Sequence, residues 1–354
     1  MELSGSNTNS NCWSKCDLGD IRLNKRAEYL GNRMLEKPNG PIPHQMGSWA
    51  STKSCYRFLD NPLVSYASLV SPHFTCSKNS SSQFEQVLCI HDTSEVNFGL
   101  DSEIEGLSRI GKGLSKGFLL HTSLGVVVSP FPKVLGILNQ EIYYRKPESK
   151  NETKKSRYNR KRESDLWVGA LEHIGNYQST TRYIDIMDRG ADIFRVIKKC
   201  LLLGHDFVIR AAYNRKLIDE ERKLFDLIRG TDPHGSAKLA IPRSAKHKRR
   251  LSHLKKASKK ITIRPSYPYQ NELPITCTVV YAKERRCPSK EEPIEWIVLT
   301  SLSANSLEEC CKILDMYAIR WIIEEYHKCL KTGCRLESTQ LKNNERIERL
   351  LGFL

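Results

Sequence analysis

Residues 317–331 read YAIRWIIEEYHKCLK. Tyr317, Arg320, Glu324 and Lys331 follow one another at intervals of three, four and seven residues, and at about 100° per residue they share an arc of roughly 60° on a helix. Met316, Ile319, Ile322, Ile323, Tyr326 and Leu330 fall on the other side, where an amphipathic helix packs on its core. Ser306 with Glu309 three residues later is a capping-box start, and Gly333 is a stop, so the pattern predicts one helix that turns its polar stripe outward. Such a stripe also suits a solvated face with Glu/Lys pairing.

Two short apolar runs upstream each end in an acid. Residues 86–90 (QVLCI) lead to His91-Asp92, and residues 183–187 (YIDIM) lead to Asp188. The carboxyl ends of strands in open α/β sheets face ligands, although a lone Asp there also serves as a cap or turn residue. Asp92, Asp188 and Glu324 together would offer three hard oxygen ligands, the set that a pair of divalent ions needs for phosphodiester displacement. Asp185, Asp192 and Glu325 compete for the same roles, Glu325 lying about 100° from Glu324 on a helix. Further strands are expected at 118–128, 134–144, 206–210 and 294–300, with helices around 167–173 and 192–203. That order predicts an α/β layer with an antiparallel start. Residues 1–75 read as a small helical domain and the tract SKNSSS (77–82) as a linker. A Lys/Arg-rich loop is expected at 145–162, and a β-rich insertion at about 214–293, with strands at 261–263 and 275–282.

The 354 residues carry 56 Lys plus Arg against 40 Asp plus Glu, a formal charge of +16 at pH 7, and 39% are hydrophobic. The chain is therefore a foldable polycation suited to a polyanion, not a disordered basic tail. Neither a signal peptide nor an apolar run of membrane-helix length is present, which suggests a cytoplasmic protein with no membrane partner. Among 12 cysteines there is no CxxC pair; Cys12 and Cys16 are the nearest to a metal pair and lack a matching second pair. The glycine-rich stretch 106–117 (GLSRIGKGLSKG) lacks the Gly-Lys-Ser/Thr ending of a phosphate loop, which excludes that mode of nucleotide binding. Residues 238–264 hold 11 Lys or Arg and no acid. Lys248, Arg249, Arg250, Lys255 and Lys256 are expected there to track a phosphate backbone without reading bases.

The contexts CIHDTSEVNF around Asp92, DIMDRGADIF around Asp188, and RWIIEEYHKCLKTG, together with LGD and YRFLDNP near the N-terminus, resemble the insertion-sequence-four family of bacterial cut-and-paste transposases. The resemblance spans nearly the whole chain. It implies a ribonuclease H-like mixed sheet flanked by helices (76–354), a β-rich insertion, and an N-terminal helical domain (1–75) that reads the transposon end. It assigns Asp92, Asp188 and Glu324 to catalysis with Mg²⁺, two ions with Mn²⁺ as a substitute. Tyr317, Arg320, Lys331 and Arg210 would hold DNA, and Trp296, which core packing would equally explain, would grip a flipped base, with Phe118 near a second aromatic position of the family. Double-stranded DNA is the implied partner, a homodimer the implied synaptic unit, and the bacterial nucleoid the implied location. The family also leads to expect a longer C-terminal dimerisation region, so that RIERLLGFL (346–354) reads as an apolar helix end without its continuation, to be covered by the chain's own core, by another subunit or by nothing, and pairing of two ends as inefficient. A DNA-binding inhibitor or relic, and a general ribonuclease H-like nuclease, are the alternatives.

Overall fold

The computed structural model describes residues 12–111, 113–128, 130–146, 161–175, 181–218, 220–241, 250–265, 267–287 and 292–354. The described chain begins with a helical region. The Asp20 carboxylate accepts from Arg22 N–H at the start of α1 (Ile21–Glu36), α2 (Ile42–Met46) ends on left-handed Gly47, and Ser48 and Ser65 cap α3 (Trp49–Leu59) and α4 (Tyr66–Ser81). The expected linker 77–82 is corrected: it is the end of α4 and the residue after it. The Ser77 and Ser81 hydroxyls donate to the carbonyls of His73 and Ser77 at 2.8 Å, so polar groups that favour a loop are satisfied within the helix.

A ten-stranded mixed sheet follows. At its centre β1 (Gln86–Asn97), β5 (Arg182–Met187) and β6 (Asp206–Arg210) run parallel. On one side lie the antiparallel β3 (Lys116–Val127), β4 (Lys133–Tyr143) and the short β2 (Ser108–Arg109). On the other, β10 (Glu295–Thr300), β9 (Ile275–Glu284), β8 (Arg250–Ile263) and β7 (Gly235–Ile241) continue the same sheet. Strand β1 does not stop at Asp92 as its apolar run suggests. Residues 88–97 pair with 117–126, and this ladder carries the polar residues HDTSE onward without needing apolar side chains.

Helices α5 (Asp165–Ile174), α6 (Phe194–Leu202) and α7 (Leu224–Arg229) cover one face, closing a core with Met187, Phe207, Ile209 and Val279. The other face, with Leu88, Ile90, Ile186, Val208 and Val298, lies under α8 (Leu307–Ala318) and α9 (Trp321–Lys328). The single long helix is thus two. Ile322 N–H bonds to Ile319 O and Ile323 N–H to Arg320 O, three-residue closures that tighten the junction, and α9 passes into a π-turn at Cys329–Gly333.

The chain's last helix, α10 (Asn344–Leu351), packs into the N-terminal helical cluster with Trp13, Leu30, Phe58 and Leu69. Leu350, Leu351 and Phe353 are buried there, and the Trp13 indole N–H donates to Gly352 O at 3.2 Å. Of the covers open to that apolar end, the chain's own core is the one observed. Among the described residues no helix is long and apolar enough to cross a membrane.

Candidate active site

Register builds the centre of the site. The parallel ladder pairs Ile90 with Ile186, and Ile186 with Val208. Two residues further along each strand direction come Asp92, Asp188 (just past β5) and Arg210, so these three stand in a row across neighbouring strands about 5 Å apart. Side chains alternate across a strand. Leu88, Ile90 and Asp92 therefore share the face under α8 and α9, whereas His91 points to the opposite face.

Asp188 caps the turn that follows β5, accepting from Gly190 N–H at 2.7 Å. Burial first, then the neighbouring Asp92, raises its pKa, against Gly190 N–H, Arg320 and Arg210. Arg210 donates to Glu295 O at 3.1 Å; burial lowers its pKa, aided by Arg189 and Arg320 and opposed by Tyr317.

The α8–α9 junction supplies the facing groups. Arg320 pairs with Glu324 one turn along and reaches to 3.9 Å from the Asp92 carboxylate. Burial disfavours its charge, but Tyr317, Asp92 and Glu324 outweigh it and its pKa is raised. Lys331 donates to Ser94 Oγ at 2.9 Å, two residues beyond Asp92. His327, which sequence reasoning passed over, is buried with Nδ1 3.7 Å from Asp92 and Nε2 3.2 Å from Thr122 Oγ1, Thr122 being the cross-strand partner of Asp92. Its place three residues after Glu324, on the same helix face, is the signal that could have found it.

Several expected contacts lie elsewhere. Tyr317 is not on an outward stripe. Its ring is buried and meets Trp296 edge-on at 5.1 Å, so Trp296 is a core residue with no free face for a base; Trp321 is the more exposed indole, at 43%. Phe118 is fully buried between Phe98 and Tyr144. Arg250 pairs with buried Glu284, whose pKa falls to about 2 because Arg250, Ser252 and Ile294 N–H outweigh the burial that would raise it. Lys256 is buried against Cys311 Sγ at 3.0 Å. The described parts of the basic run belong mostly to β7 and β8, and there Lys238, Lys255, Lys260 and Arg264 remain exposed. Lys248 and Arg249 lie outside the described residues, as does most of the 145–162 loop.

The competing acids are occupied. Asp185 accepts from His91 and His205 at 2.9 Å each; burial would raise its pKa, but these two partners bring it to about 2. Asp192 is buried and holds Arg215 and the N–H groups of Ala212 and Tyr213. Glu325 is exposed beside Lys328. Away from the sheet, Arg22, Arg26 and Arg57 of α1 and α3 line a basic cleft of about 350 Å³, with the Trp49 indole 77% exposed on α3.

A family profile described as "Transposase DNA-binding" matches residues 10–64, and one described as "Transposase DDE domain" matches residues 154–354, more than half of the chain. The chain belongs to the DDE transposase family. The DDE match takes in Asp188, Arg210 and all of 317–331, while Asp92 lies between the two matched segments and comes to the site through the β1–β5 register. This transposase accordingly has DNA as its partner and the mixed sheet of its family. DDE transposase domains use divalent metal ions. Asp92 and Asp188 suit one: both are hard oxygen donors, and their mutual repulsion is what a bound cation relieves. Glu324 is engaged by Arg320, and among the described residues no three His, Cys, Asp or Glu side chains are gathered about one point.

Proposed function

We propose that this transposase is of the insertion-sequence-four type, with Tyr317, Arg320, Glu324 and Lys331 as its Tyr-Arg-Glu-Lys signature and Asp92, Asp188 and Glu324 as its catalytic carboxylates. The observation that carries the reading is the row Asp92, Asp188, Arg210, faced by an arginine that reaches both Asp92 and Glu324. Residues 1–75 read the transposon end and 76–354, with the strands at about 214–293, perform the chemistry; α4 runs across the boundary between them.

Mg²⁺, with Mn²⁺ as a substitute, would be held by the three carboxylates and would supply an activated water and charge stabilisation at the leaving oxygen. The rest is the work of the chain's own side chains. Arg210 and Arg320 draw the oxygens of the scissile phosphate to the end of the sheet, where a guanidinium fork suits them. Lys331, anchored at Ser94, adds a point charge along the DNA backbone, and Tyr317 supports both arginines from below. His327 and Thr122 fix the orientation of Asp92. Hydrolysis frees a 3′-OH at the element's end; this hydroxyl attacks the opposite strand, closing a hairpin and releasing the flank, after which hairpin opening and strand transfer follow in a complex of two subunits.

The test is nicking of an end-sequence duplex in Mg²⁺ or Mn²⁺. Asp92→Asn, Asp188→Asn and Glu324→Gln should each abolish nicking and leave duplex binding intact. A variant that nicks at the wild-type rate removes its residue from the site.

A further inference from the structure

In the loops that follow β5 and β6, which begin at Asp188 and after Arg210, the chain meets Ile263 at the end of β8 and Arg264, Pro265, Tyr267 and Tyr269 after it, around a cleft of about 520 Å³. Asp192 ties the two loops together, accepting from Ala212 N–H at 2.7 Å and Tyr213 N–H at 3.1 Å and pairing with Arg215. It is the one acid among the lining residues, and it is spent on that internal pairing. What remains at the mouth is aromatic and basic. Tyr213 is 61% and Tyr267 81% exposed. Behind them Phe194 and Tyr269 stack at 5.6 Å between ring centroids. Lys216 and Arg264 are exposed and, among the described residues, form no ion pair.

We propose that this cleft binds single-stranded DNA, with bases stacked on Tyr213 and Tyr267 and phosphates at Lys216 and Arg264. Exposed rings interleaved with unpaired cations are the arrangement that holds unpaired strands regardless of sequence. A duplex buries its base faces in its own stack and is too wide for a cleft of this volume, whereas one or two unstacked nucleotides match it. The inference rests on the proposed function only for which strand arrives. Tyr213 is three residues beyond Arg210 along the chain, which puts the cleft at the same end of the sheet as the proposed scissile phosphate.

The experiment measures fluorescence anisotropy of labelled oligo(dT) and of a labelled end duplex with the full chain in EDTA. Tyr213→Ala and Tyr267→Ala should each weaken oligo(dT) binding at least about five-fold and leave duplex binding within two-fold. The Phe variants at both positions should bind as wild type, because stacking needs the ring and not the hydroxyl. Lys216→Ala with Arg264→Ala should flatten the salt dependence of oligo(dT) binding by about 1.4 in log–log slope. Oligo(dT) that does not bind wild type, that binds the Ala variants equally well, or that weakens in step with the duplex would overturn the proposal. Because no metal is present, the outcome is independent of whether Asp92, Asp188 and Glu324 prove catalytic in the nicking assay.

Discussion

Asp188 is a carboxylate held at a disadvantage. With its pKa raised by burial and by Asp92, the folded chain binds its proton more tightly than the unfolded chain does. Its ionisation therefore subtracts stability above the folded pKa, and the penalty vanishes as pH falls below the unfolded value of about 3.9. A cation between Asp92 and Asp188 would lift the same penalty. Asp188→Asn should accordingly raise the metal-free melting temperature at neutral pH by on the order of 1–3 °C, with the gain fading below about pH 4. Thermal melts in EDTA across that range check it, and identical melting temperatures at pH 7 would sink the idea. Asp185, three residues earlier, has the opposite sign. Its two histidines hold it at about 2, so its contribution is present above about pH 4 and lost as pH falls toward 2.

At the scale of elements, Arg320 stands at the tightened junction between α8 and α9, and from there its one guanidinium reaches both Asp92 and Glu324. A lysine supplies the charge but not the fork. Arg320→Lys should slow nicking by roughly 10²–10³-fold and change end binding little; a rate within a few-fold of wild type would show that the fork is dispensable. The positions of most strands were legible, because QVLCI, YIDIM and DFVIR are short, mostly apolar runs of buried-strand length. The acids at their ends could be named as candidates, yet Asp92 and Asp188 become neighbours only through an inter-strand register that no local pattern contains. The illegible features share a cause: their polar groups find partners inside the folded chain. Serines bonded back to carbonyls within α4, Lys256 buried on Cys311 and Arg250 on Glu284 all read as solvent-facing when taken alone. Trp296 and Tyr317 hide their rings against each other, so Trp296 takes the core place that its sequence also allowed and Tyr317 leaves the outward stripe.

Across the whole molecule, one apolar cluster joins the N-terminal helices, the last helix and the β1–β3 end of the sheet: Trp13, Leu30, Phe58, Val96, Phe118, Leu350 and Phe353 all belong to it. Phe353 meets Phe58 at 5.9 Å and Trp13 at 6.1 Å. Phe353→Ala should cost about 3–5 kcal/mol and loosen the N-terminal helices ahead of the sheet, which limited proteolysis and urea unfolding would register; unchanged cleavage within α1–α3 would contradict it. If the N-terminal helices read the DNA end and the proposed carboxylates cut it, the same cluster makes the protein a ruler: both would be set on one block, and the interval between recognised bases and severed bond would be fixed in length and in phase. One base pair inserted in that interval displaces the bond by about 3.4 Å and rotates it by roughly 35°. Such an end should still be bound and should no longer be nicked at the shifted junction, with any residual cut falling at the original count of base pairs from the recognised sequence.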